Sequence, residues 1–257
     1  MRLNENTYPA YITLEKGNYY QLKIDAMFGD RYLPTPSHLE QFITSISSLY
    51  KNLDGRYYLT SPFKDAILQS ADKLKDKLFD LDELCTGILF TDKGFTMYSW
   101  NPASPNKLTA YGFTRDILTT YGTIDANGNI KGVACSVKDG QPYDDQQGLV
   151  HWLLTILLAI NFIKHCEIEV KILKPKEKYR NDGVKYFNES NSDVHILDCR
   201  WFTELIRDTP FRVRGHFRWQ FHGEGRKGRK LIWIDEFEKQ GYHRKAKKEN
   251  EELSIAR

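Results

Sequence analysis

The sequence predicts an α+β protein, an antiparallel sheet packed against a few helices, with a basic C-terminal β-hairpin. Three observations predict it. Residues 87–137 divide into short apolar runs of period two between turn residues, stripes of helical period lie on both sides of that stretch, and from Phe211 onward apolar and polar residues alternate. With 40% hydrophobic and 28% charged residues, the 257-residue chain can bury a substantial core.

The elements follow in order. Ala10–Leu14 and Tyr19–Ile24, separated by Lys16, Gly17 and Asn18, predict an N-terminal hairpin. After Pro34, Thr35 and Pro36, Ser37 with Glu40 three residues on reads as a capping box. It opens a helix whose inner stripe is Leu39, Phe42, Ile43, Ile46, Leu49 and Tyr50. Ser61 as N-cap and Pro62 at the first helical position open a second helix, with Phe63, Ala66, Ile67, Ser70, Ala71, Leu74 and Leu78 inward.

Gly87–Thr91, Gly94–Trp100, Lys107–Thr114, Thr119–Ile124 and Ile130–Val137 then read as an antiparallel meander, the last pair joined by the turn Asp125–Asn129. A helix over Gln147–Lys164 follows, and Glu167–Leu173 resumes a strand pattern. The helix carries the longest apolar run, Leu149–Ile163, which falls short of the roughly 18 to 20 residues that cross a bilayer and so predicts a core helix. Residues 174–193, rich in Lys, Asn, Asp and Ser, read as a loop and as the one candidate linker. The expected organisation is a core over 1–190, a hairpin subdomain of the same domain over 191–248 and a tail over 249–257; a two-domain split at the loop is the alternative.

Several classes are not expected. With no leader pattern and no spanning run, a cytoplasmic protein without membrane contact is expected. Cys85, Cys135, Cys166 and Cys199 form no C-x-x-C pair, which points to buried free thiols. The turn GEGRKGRK lacks P-loop spacing, G-x-S-x-G is absent, and no cofactor or metal site is expected. Asp144 or Asp145 with Glu169, Val170 and Lys171 resembles a metal-nuclease pattern, but a long helix intervenes where a short strand connection belongs.

Charge is segregated. Arg207–Lys248 holds 13 Lys and Arg against 5 Asp and Glu, a local +8 in a chain of net +3, whereas the first 206 residues carry −3. Such a surface suits a polyanion. Period two places Phe211, Val213, Gly215, Phe217, Trp219 and Phe221 on one face and Arg212, Arg214, His216, Arg218, Gln220 and His222 on the other. Leu231–Ile234 returns after a cationic tip that contributes Arg226, Lys227, Arg229 and Lys230. Alternate arginines stand about 7 Å apart on a strand and repel unless an anion lies between them.

Phosphates of RNA or DNA fit that row, Asp198 and Asp235 of the same chain compete for it, and Tyr242, His243, Arg244 and Lys245 extend it. Two alternatives stand beside nucleic-acid binding. One is a metal-independent, toxin-like ribonuclease with His216 and Arg218 as catalytic residues. On a single strand His216 and His222 lie about 20 Å apart, so a second group such as His243 or His195 would have to help. The other is an inhibitor that offers the basic face to an acidic partner protein.

The strings DVHILDCRWF, FRVRGHFRWQ and RKLIWIDEFEKQGYHRKAKK resemble a poorly characterised group of bacterial and bacteriophage-borne proteins with a C-terminal R-G-H-[FW]-R-x-Q core, a basic turn and an IWI-like strand. The likeness covers about the last 65 residues, from Asp193. It implies a phage or mobile-element setting and puts weight on Gly215, His216, Arg218 and Gln220. It implies no activity.

Overall fold

The computed structural model describes residues 1–68, 81–103, 107–138, 141–165, 171–181, 184–197, 205–207, 211–213, 216–226, 228–239 and 242–244. Cys166, Glu169, Asp198, Cys199, the lower stripe of the second helix (Ser70, Ala71, Leu74, Leu78) and the tail lie outside them.

The predicted N-terminal hairpin is replaced by a short strand and a helix. After β1 (Arg2–Leu3), Pro9 opens α1 (Pro9–Glu15). Its ring presets a helical φ and its missing N–H costs nothing at that position. Tyr11 and Leu14 are fully buried, Tyr11 edge-on to Phe90 at 4.9 Å, so tertiary burial decides the helix. Of the second run, Tyr19–Gln21 is a 3₁₀ turn and only β2 (Lys23–Ile24) extends. The helix α2 (Ala26–Tyr32) follows, capped by the Asp25 carboxylate on the Met27 N–H.

The next helix, α3 (Pro36–Lys51), is capped by Thr35 rather than Ser37: Thr35 Oγ1 accepts the His38 N–H, and Pro36 takes the first position. Ile43 and Ile46 are its buried residues, while Leu39 is exposed. After β3 (Gly55–Leu59), α4 (Ser61–Leu68) starts one residue earlier than expected, because the Lys64 N–H bonds to the Thr60 carbonyl.

The meander forms as expected: β4 (Cys85–Phe90), β5 (Gly94–Asn101), β6 (Lys107–Thr114), β7 (Ile117–Asp125) and β8 (Ile130–Lys138) pair antiparallel in sequence, and β9 (Gln141–Asp144) adds to β8. At the β7–β8 turn the Asp125 carboxylate accepts the N–H groups of Asn127 and Asn129 and the Asn129 amide, which hold its carboxyl below the usual range.

The long helix α5 (Gln146–His165) and β10 (Lys171–Leu173) lead to β11 (Lys178–Asn181) and β12 (Val184–Asn188). The expected loop is therefore a hairpin, and β12 pairs parallel with β1. Its strands escape a sequence search because their third partner is the chain's first residues. The following strand, β13 (Val194–Leu197), lies inside the main sheet between β10 and β3. That sheet runs β10-β13-β3-β4-β5-β6-β7-β8-β9, with β2 parallel on the start of β7. It is parallel at β13–β3 and β3–β4, and antiparallel elsewhere along that order.

Both faces of the sheet are covered. Ile88, Phe90, Phe95 and Met97 face α1, Phe28 of α2 and Ile46 of α3, while Cys85, Leu89, Tyr98 and Trp100 face α4 and α5. Helix α5 comes so close at Gly122 that an added Cβ would stand 2.8 Å from Leu149 Cδ1, which explains the missing side chain there. By length and composition Gln146–Lys164 could cross a bilayer, so the expectation that the apolar stretch is too short is corrected. In this fold it is the central core helix, with Leu149, Leu153 and Ile156–Ile160 buried. Cys85 is buried as expected. Cys135 is only partly buried, its thiol pushed up to about 12 by desolvation and by Asp25.

Candidate functional site

Six C-terminal strands carry the basic residues: β14 (Leu205–Arg207), β15 (Phe211–Val213), β16 (His216–His222), β17 (Gly228–Ile234), β18 (Phe237–Lys239) and β19 (Tyr242–Arg244), the last pairing back onto β14. The β16–β17 ladder and the β15–β18 ladder share one register, and the β14–β19 ladder is offset from them by one residue. The tip is a 3₁₀ turn, Glu224–Arg226, between Gly223 at φ 82° and Gly228. A Cβ on Gly228 would meet the His222 ring 2.9 Å away, so the imidazole covers that glycine.

Period two sorts β16 as expected. Phe217 is 7% exposed and meets Trp233, its cross-strand partner, edge-on at 4.8 Å, and both pack on the α5 side of the core. Phe221, on the same face four residues on, is 45% exposed, so the aromatic face is buried at the base of the hairpin and emerges towards its tip. On the opposite face Arg218, Gln220 and His222 are all exposed. Among the described residues Arg218 makes no ion pair.

The rest of the row is less uniform. Arg212 stands opposite Glu238 in the β15–β18 register, and Asp235 and Glu236 are exposed just after β17, so carboxylates lie along the lower part of the hairpin. Counting outward from the tip finds Glu238 opposite Arg212, a signal present in the sequence. Lys230 stands opposite Gln220 and Arg229 opposite Phe221, which puts these two cations at successive positions of β17, Lys230 in register with the donor row and Arg229 with the aromatic one. Arg226 belongs to the tip turn, and Arg244 pairs with Leu205 in β19. Arg214, Gly215, Lys227 and Lys245 lie outside the described residues.

The arrangement can grip an oxyanion. A guanidinium supplies two parallel N–H bonds, with an amide and an imidazole following at alternate positions. The histidines named for acid–base work belong to separate places. His216 and His222 occupy opposite ends of β16, His243 is in β19, and His195 is in β13 with its ring against Tyr57. The carboxylates of the nuclease-like pattern hold backbone instead. Asp144 accepts the Ala134 N–H and the Gln146 amide, and Asp145 caps α5 through the Gly148 N–H. No group of three or more His, Cys, Asp or Glu converges among the described residues. Compared with protein-family models, with curated proteins and with solved structures, the chain matches none.

Proposed function

We propose that the protein binds nucleic acid through the outer face of the C-terminal hairpin. The observation that carries this is the division of labour on β16: Phe217 pins the strand to the core while Arg218, Gln220 and His222 face solvent, with the Arg218 guanidinium free of carboxylates among the described residues. Phosphates are the partners that such a row of donors suits.

The test is fluorescence anisotropy with labelled RNA and DNA in EDTA, across a salt series. Binding weakens steeply with salt, and R218Q makes the log–log slope shallower by about 0.7 to 0.9, one phosphate contact. Unchanged affinity and slope in R218Q/Q220A would overturn the proposal. Cleavage of the RNA in EDTA would support the ribonuclease instead, and neither binding nor cleavage would leave the acidic protein partner.

A further inference from the structure

We infer that the small sheet of β1, β12 and β11 is a second surface for a single nucleic-acid strand, independent of the hairpin. Pairing sets two rows across it. Arg2, Phe187 and Lys178 lie side by side, and Lys185 lies opposite Arg180. The pleat sends all five outward, for the alternate residues Leu3, Tyr186 and Asn188 are at most 2% exposed. Four cations and one phenyl ring therefore share this face.

The ring positions two of them: Lys178 Nζ stands 5.0 Å and Arg2 Cζ 5.7 Å from the Phe187 centroid. Cation–ring attraction fixes side chains that would otherwise wander, which lowers the ordering cost of binding. Among the described residues the one ion pair on this face is Arg2 Nε to Glu189 Oε1, 2.6 Å; Lys178, Arg180 and Lys185 make none. Like charges directly opposite one another, as at Arg180 and Lys185, destabilise a ladder unless an anion joins them. A groove of about 670 Å³, lined by Met1, Tyr179 and Tyr186 besides these cations, lies at this surface.

A nucleic-acid strand supplies both things the face lacks, closely repeated negative charge for the cations and flat rings for Phe187. An acidic peptide supplies only the first. The ligand's identity rests on the nucleic-acid reading of the hairpin, but no residue is shared with it.

The full-length chain is titrated with labelled oligo-U and oligo-dT between roughly 0.05 and 0.3 M salt, as wild type, R180Q/K185Q and R218Q/Q220A, with circular dichroism to confirm folding. Losing two phosphate contacts to a single strand makes the R180Q/K185Q slope shallower by about 1.4, or about 25-fold weaker binding at 0.1 M salt if the lines meet at 1 M. Wild-type binding in R180Q/K185Q overturns this inference and leaves the hairpin standing. Loss in R180Q/K185Q with none in R218Q/Q220A supports the sheet and removes the hairpin. No binding by the wild type removes both.

Discussion

Replacing Phe217 by Ala tests whether the basic hairpin is part of the folded core. Phe217 is 7% exposed and packs with Trp233 on the α5 cluster, whereas Phe221, on the same face of the same strand, is 45% exposed. Truncating a buried Phe costs about 3 to 5 kcal/mol, the sum of lost transfer energy, the cavity left behind and the lost ring pair. Truncating the half-exposed ring removes much less from water's reach, about 1 kcal/mol. With a urea m-value of about 2 to 3 kcal/mol/M, F217A should lower the unfolding midpoint by about 1 to 2.5 M, and F221A by less than about 0.5 M. Urea titration followed by far-UV circular dichroism reads both. Equal losses, or a loss below about 1 kcal/mol in F217A, would show that the hairpin is not docked on α5.

Two further outcomes follow from the core. Burial lowers the pKa of His195, beside Tyr57, below its ordinary 6.5, so the unfolded chain takes up this proton first. The neutral ring's contribution is then complete above about pH 6.5 and is lost as pH falls through the depressed folded value. Stability measured from pH 7 to 5 should decline in the wild type and decline less in H195Q; parallel curves would refute this. At Gly122, a Val side chain would overpack Leu149 and Leu153, which would stand 2.8 and 3.2 Å from its Cβ. G122V should cost about 1 to 3 kcal/mol and lower Tm by about 2 to 10 °C in thermal melts, and an unchanged Tm would mean that α5 does not lie this close to β7.

What the sequence revealed depended on whether an element's reasons were local. The meander was legible because Asp125, Asn127 and Asn129 build their own turn and the flanking runs keep period two. The N-terminal stretch was not, because Pro9 and the packing of Tyr11 on Phe90 outweigh a strand-like composition. Nor was the β11–β12 hairpin: alternation of Lys178, Tyr179 and Arg180 reads as polar loop until Arg2 and Leu3 arrive from the far end of the chain. At the candidate site, the face assignment of Arg218, Gln220 and His222 was legible from the pleat alone. The same alternation put Phe217 on the face that can be buried, but that its partner is the α5 cluster and that Phe221 emerges from that face depend on packing the sequence does not show.

Both basic surfaces are built by one device, and this bears on how they would hold a ligand. A strand cannot turn one face without turning the other, so whatever pins the apolar side also aims the polar side. In β16 the pin is Phe217 against Trp233. In the small sheet it is Leu3 and Tyr186, buried in the other core cluster. Cations on a loose tail lose side-chain and backbone freedom together when they meet a phosphate. Those on a pinned strand have already lost the backbone part, about 1 to 2 kcal/mol per residue. Arg218 on the hairpin, like Arg180 and Lys185 on the sheet, would meet an anion with its backbone already fixed by pairing, a cost that folding of the core has met.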